Sequence, residues 1–229
     1  MPSWNIHTAH VERLLDDEAF ATLGVSDVNA FLFGNLAPDI YVGYMVPDVS
    51  RKIEYKDTHY ADPGFIPAPD ASLFYRKFVR NVEVSDVTLG AWTHLLCDHY
   101  YNLRTIEFID RIGVKAGEQT RIRKQGDFDL FGRTLAISRV PEVTTSLVEQ
   151  SAAFPQYPID EPDVRGAVAA AARIVERNRT DHVDGTPEYS LLTPAFFANT
   201  FAEVDEVLHK ALRAHASGED ASGWGAVEQ

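Results

Sequence analysis

With a single cysteine, Cys97, in 229 residues, the chain has no intrachain disulfide and is not a small disulfide-stapled secreted domain. A reducing compartment is the simpler setting. Positive charge is scarce too: 21 Lys and Arg face 34 Asp and Glu, for a formal net charge of −13. A broad nucleic-acid footprint or adhesion to an anionic lipid surface needs clustered Lys and Arg, so neither is expected. An anionic small substrate stays open, because a bound cation reverses the local sign. No apolar run reaches transmembrane length, and the start, MPSWNIHTAHVERLL, has no basic segment leading into an apolar one. The expectation is a soluble, cytoplasmic protein with no transmembrane segment and no stable nucleic-acid complex. Period-two alternation is missing, and no internal repeat is apparent.

Helical periodicity is what the chain does have. Val11, Leu14, Leu15 and Ala19 recur at helical spacing from His7 to Leu23, with Gly24 as the stop. Ser26 opens an apolar segment, DVNAFLFGNLA, that Pro38 ends. Residues 38–70 then hold five prolines and several tyrosines with no sustained period, which predicts a long ordered loop with room for one short helix. Asp70 or Ser72 starts the next helix, and Asp86 is the expected cap of a long central helix reaching about Ile112. A short helix is expected at DFDLFGRTL, a longer one at DEPDVRGAVAAAARIVERN, and a last one at TPAFFANTFAEVDEVLHKALRAH, capped by Thr193 with Pro194 at its first position. The expected fold is all-α, a single-domain helical bundle over residues 1–215. The Gly/Ser-rich, acidic tail, 216–229, is expected to be flexible.

The chemistry sits in polar residues at apolar positions. In THLLCDHYYN, residues 93–102, His94 and Asp98 are four apart on one helical face, so they suit a shared metal ion as well as a plain hydrogen bond. Cys97 reads as a small buried hydrophobe, and His99 points away from that face. Asp39 directly follows Pro38 at the end of an apolar helix, and His59 lies in an aromatic-rich loop. A carboxylate or imidazole in such a setting must be paired or coordinated. His7 falls on the stripe of Val11 and Leu14 and should face inward, and His10 could as well.

The order W-N-x-H near the start, then GNLAPDI, KDTHYADP and THLLCDHYYN, resembles the zinc-dependent phospholipase C family, whose metal-site architecture is shared with single-strand-specific zinc nucleases. The similarity covers roughly the first 110 residues. It implies a fold of that helical type, with Asp39, His59, His94 and Asp98 holding one Zn²⁺ and Asp98 bridging to a second that His7 also binds. Trp4 matches the family's tryptophan, which ligates through its backbone amine and carbonyl. Because Met1, Pro2 and Ser3 precede Trp4, only its carbonyl is left for that role.

The resemblance implies a phosphoric ester hydrolase, in which a metal-bound hydroxide attacks a phosphodiester and Asp39 orients or deprotonates the water. The substrate would be a small phosphoester such as a phospholipid head group or a nucleotide. A His/carboxylate shell also admits Fe, Mn or Ni. The family's third ion uses a His just after the central motif and a His-x-x-x-Glu pair. The matching HYYNLRTIEF supplies no such His, and the chain's one His-x-x-x-Glu, His215 with Glu219, runs into the tail. One or two ions are therefore expected. Arg51, Lys56 and Lys52 are candidates to neutralise phosphate charge, and Tyr60 with Tyr41, Tyr44 and Tyr55 could line a cleft. An HD-type phosphohydrolase is an alternative, but the chain contains no His-Asp dipeptide. A metal-stabilised helical binding protein without catalysis is the other.

Overall fold

The apolar run around residue 93 becomes a helix because its start is doubly fixed. Ser85 Oγ accepts the Thr88 N–H at the N-cap, while the Asp86 carboxylate, in the first turn, complements the helix dipole. Asp86 also accepts from Ser26 Oγ (2.7 Å), Ser26 N (3.1 Å) and Asp27 N (2.8 Å), so Ser85 caps the central helix and Asp86 ties it to the preceding segment. The computed structural model describes residues 2–17 and 20–227, and every regular element among them is helical. These are α1 (Trp4–Asp17), a 3₁₀ turn (Phe20–Leu23), α2 (Val28–Gly34), α3 (Ala37–Ile40), α4 (Tyr55–His59), α5 (Ala71–Phe78), α6 (Asp86–Arg111), α7 (Glu118–Gly132), α8 (Thr145–Ala152), α9 (Glu161–Thr180) and α10 (Pro194–Ala216). Ala19, counted in the first helical stripe, lies outside the described residues. Among the described residues no helix is long and apolar enough to cross a membrane.

The 26-residue α6 is the central post, buried on nearly all sides and packed by α2, α3, α5, α8 and α10. One contiguous apolar core runs from Trp4 to Ala221. The closest crossing is α2 on α6, where two glycines meet. A Cβ on Gly90 would overlap Phe31 O, and one on Gly34 would overlap Val87 O. This contact sets the height of Asn35, the residue that follows α2.

Several boundaries differ from the sequence reading. Asp27, not Ser26, caps α2 by accepting from Ala30 N (3.0 Å). Pro38 does not stop a helix. It occupies the first turn of α3, where its missing N–H costs nothing, and Asp39 follows it. α7 starts at Glu118, nine residues before the expected DFDLF helix. Its polar first half, EQTRIRKQ, has good helix formers but no apolar stripe to announce it. The long loop is ordered as expected and contains one short helix, α4; Tyr41 Oη and Ser50 N both donate to Asp163 of α9 (2.9 and 3.0 Å). The tail expected to be flexible is packed as far as Gly225, while Ala226 and Val227 are exposed. Ser72 N donates to Gly225 O (3.3 Å), Ala221 is buried and Trp224 leans on the core. Its small residues fit closely against α5, which composition alone does not show; Glu228 and Gln229 lie outside the described residues.

Gly90→Ala should destabilise the fold by about 2 kcal/mol or more, because the clash is with backbone and exceeds the helix-propensity gain. Gly126→Ala, on α7 where an added Cβ meets nothing, should stabilise by about 0.5–1 kcal/mol. Urea denaturation of the two variants checks both signs.

Candidate metal centre

Three elements converge on α6 at His94 and Asp98. The first turn of α1 brings Trp4 and His7, α3 brings Asp39, and α4 brings His59. The side chains of His7, His59 and His94 are 0% exposed and Asp98 is 1% exposed, while Asp39, at 10%, keeps an opening to solvent. The donor atoms form two overlapping triads, His7–His94–Asp98 and Asp39–His59–His94, each with all its atoms within 4.8 Å of one another.

Asp98 faces two ways. Its Oδ1 is 3.3 Å from His7 Nε2, and its Oδ2 is 3.7 Å from His59 Nε2 and 4.0 Å from His94 Nε2. Asp39 closes the other side, with Oδ1 3.6 Å from His59 Nε2 and Oδ2 4.0 Å from His94 Nε2. The sequence-expected donors Asp39, His59, His94, Asp98 and His7 are thus brought together. Trp4 joins them through its side chain: the indole Nε1–H donates to Asp39 Oδ2 (3.0 Å), while its carbonyl, at the first position of α1, heads the helix's own hydrogen-bond ladder.

The hydrogen bonds behind the two central histidines fix their tautomers. His94 Nδ1 lies 2.9 Å from Asn35 O, which can only accept, so Nδ1 carries the proton. Thr58 Oγ1 gives its hydrogen to Tyr55 O (3.2 Å) and therefore accepts from His59 Nδ1 (2.7 Å). Both Nε2 atoms then present bare lone pairs, and they face each other at 3.2 Å. Burial holds the His59 pKa well below the usual imidazole value, aided by the neighbouring His94, so a bridging proton is disfavoured. Lone pairs held this way could be bridged by a cation.

The spacing fits one. With zinc–imidazole bonds of about 2.0–2.1 Å, tetrahedral geometry separates neighbouring ligand atoms by about 3.3–3.4 Å; the observed separations are 3.2 and 3.6 Å, with the remaining His–Asp pairs wider at 3.7–4.0 Å. The locking of each imidazole through its outer nitrogen is the usual support of a metal-binding histidine. A second set of groups at the cluster lacks partners. Neither ring nitrogen of His7 and not Asp98 Oδ1 makes a hydrogen bond, although all three are buried. The His7 ring stacks flat on His94, with centroids 4.0 Å apart at 9°. The buried His/Asp clusters could hold a metal ion, and the mixed donor set does not choose among Zn, Fe, Mn and Ni.

Tyr55 belongs to the site as well. Its hydroxyl donates to Asp98 Oδ2 (3.2 Å) and its ring stacks on His59 at 3.9 Å. It stands four residues before His59, the signal that could have singled it out among the loop tyrosines. The carbonyl of Asn35 left no signal, being backbone. The three expected substrate-binding residues are engaged elsewhere. Exposed Lys56 pairs with Glu54 (2.9 Å), and Arg51 lies over the Tyr41 ring (4.5 Å) and donates to Pro158 O. Tyr60 closes α4 in the left-handed region (φ 52°) and turns toward Phe74 and Lys77. Cys97 and His99 are bystanders, the latter bonded to Pro69 O (2.8 Å). His215 sits against Tyr75 and Trp92.

The chain matches no protein-family model, no curated protein and no solved structure. Its reading therefore rests on the chemistry of this cluster.

Burial lowers the His7 pKa to about 3 and keeps that of His59 well below 6.5, while burial also raises Asp39 to about 6. Between pH 6.5 and 3 the unfolded chain binds protons at the two histidines that the fold refuses, so acidification destabilises the metal-free protein. Asp39 acts in the opposite sense between pH 6 and 3.8, since there the fold binds a proton the unfolded chain does not. Within the cluster two groups stand against one, and His99 and His215, whose pKa values burial also lowers, act in the same sense, so the net is a loss. Chelator-treated protein should melt at a lower temperature at pH 5 than at pH 7, and His7→Gln should flatten that slope.

Proposed function

We propose that the chain is a metal-dependent hydrolase of small phosphoesters, of the zinc-dependent phospholipase C type that its ordered motifs resemble. The substrate class is a phosphodiester, a phospholipid head group or a nucleotide. The observation that carries this reading is the facing pair of bare nitrogens on His59 and His94, 3.2 Å apart and flanked by the Asp39 and Asp98 carboxylates. Asp39, His59, His94 and Asp98 would hold one ion, and His7 with Asp98 Oδ1 would hold another. A divalent cation there supplies Lewis acidity, acidifying water and drawing charge from a phosphoryl oxygen.

The chain's own groups divide the remaining work. Asp39 is the least buried of the donors, so its carboxylate is the one placed to orient a water or take its proton. Trp4 holds Asp39 Oδ2 in place and so keeps Oδ1 toward His59. Tyr55 orients Asp98 and His59 together. Burial of the remaining donors keeps water away from the charges and strengthens their interactions.

A second reading has its own support. The burial of His7, His59, His94 and Asp98 is also what a closed structural site shows, which would make the chain a metal-stabilised binding protein.

Metal content after purification without added metal, together with turnover of chromogenic phosphodiesters and phosphomonoesters, separates the two. Wild-type protein should carry metal and hydrolyse a phosphodiester, and His59→Ala should lose the metal and at least about 100-fold in turnover. Bound metal without turnover of any phosphoester would select the binding protein. Folded wild-type protein that takes up no metal would refute both.

A further inference from the structure

The chain between two of the cluster's donors, Asp39 and His59, folds back on itself. Gly43 N donates to Ile40 O (3.3 Å) and Ile53 N to Tyr41 O (2.9 Å), so residues 42–44 run beside 52–54. Gly43 has φ 80°, and the stem of Lys52 passes over it, where a Cβ would sit 3.2 Å from Lys52 Cε. The hydrogen bonds of Tyr41 and Ser50 to Asp163 pin the same loop to α9. Its two arms line a cleft of about 290 Å³, with half-buried Val42, Ile53 and Tyr55 and exposed Tyr44, Lys52 and Glu54 as the walls.

Tyr55 belongs to both the cleft and the cluster. Its hydroxyl is 3.2 Å from Asp98 Oδ2 and its ring stacks on His59 at 3.9 Å. The cleft wall also begins three residues after Asp39, the least buried of the donors. Tyr44 is 84% exposed. A lone exposed aromatic is ordinary on a protein surface, but this one stands on a pinned loop at a cleft whose other walls are aromatic and aliphatic. Charge on the walls is one-sided: Glu54 pairs with Lys56 (2.9 Å), while among the described residues Lys52 has no carboxylate at ion-pair distance. Such walls with one free cation suit a molecule that joins a planar ring to an anionic group. The volume, at the lower end of the roughly 300–1,000 Å³ of small-molecule sites, takes one ring system rather than a pair of acyl chains.

We propose that this cleft binds the organic part of the phosphoester, a planar aromatic group stacked on Tyr44, with Lys52 on the phosphoryl oxygens. The inference rests on the metal-hydrolase reading and narrows its substrate class. Phenylphosphonate, which carries a ring and an anion but no ester bond, is the probe. It is titrated calorimetrically, beside inorganic phosphate and propylphosphonate, into the metal-loaded full-length chain and its Y44A, K52M and K52R variants, with metal content measured on each. Wild type should bind phenylphosphonate at least about fivefold more tightly than phosphate, and Y44A should lose that preference while keeping its phosphate affinity. K52M should weaken both ligands at least about fivefold with metal content unchanged, and K52R should recover most of the loss. Equal affinity of wild type for phenylphosphonate and phosphate, or a preference that survives in Y44A, overturns the role of the cleft and leaves the hydrolase reading standing. Propylphosphonate binding as tightly as phenylphosphonate overturns the aromatic assignment, and unchanged affinities in K52M overturn the placement of Lys52. Loss of metal in these variants makes the loop a structural part of the centre and also overturns the proposal. Metal-loaded wild type that binds none of the three anions overturns the hydrolase reading as well.

Discussion

Two imidazole nitrogens that cannot share a proton are the constraint around which this molecule is arranged. His59 and His94 each spend their ring N–H on an outward partner, Thr58 Oγ1 and Asn35 O, and so turn lone pairs inward at 3.2 Å. Left alone, that geometry is repulsive, and the apolar surroundings give it no water to relax into. A cation reverses the sign of the interaction without moving a ring. The two carboxylates would then change from buried liabilities into ligands, and the lowered pKa of His59, set by burial, keeps its nitrogen free of a proton.

The fold reaches this geometry through backbone as much as through side chains. The Gly34–Gly90 crossing lets α2 lie nearly in contact with the α6 backbone, which brings the Asn35 carbonyl to His94 one turn beyond Gly90. The same region is tied from below by Asp86, which holds Ser26 and Asp27 at the start of α2. A shift of α2 would therefore reach the His/Asp cluster through one hydrogen bond. On the opposite side, Tyr55 and Thr58 do the same for His59 from within a five-residue helix that Tyr60 ends.

Much of this was legible from residue type and spacing. Caps at Asp70 and Thr193, the apolar stripes and the absence of alternation gave an all-helical chain, and polarity out of place pointed to Asp39, His59, His94 and Asp98. Three kinds of feature were not legible. The first half of α7 has helix formers without a stripe, so nothing in the sequence marked it as a helix. The tail had the composition of a mobile segment, but its small residues fit closely against α5. The loop cations Arg51 and Lys56 lay between two ligands in sequence, yet side chains of that length choose their partners in space, here the Tyr41 ring and Glu54.

His7 and His10 show why burial alone does not define a site. They stand three residues apart on one face of α1 and are equally enclosed. His10 has what a core histidine requires: Nδ1 meets Asp205 at 2.5 Å, Nε2 meets the Tyr101 hydroxyl at 3.1 Å, and the ring stacks on Phe201. His7 has no hydrogen bond at either nitrogen, and the one carboxylate beside it, Asp98, has an unbonded oxygen of its own. Each such orphan costs about 1–3 kcal/mol, more than an apolar side chain of similar size would. A fold that satisfies one histidine fully and leaves its neighbour bare within 4.0 Å of a locked imidazole offsets that cost only when something binds there. A bare nitrogen beside a carboxylate oxygen that has no hydrogen-bond donor is a donor set that could hold a cation.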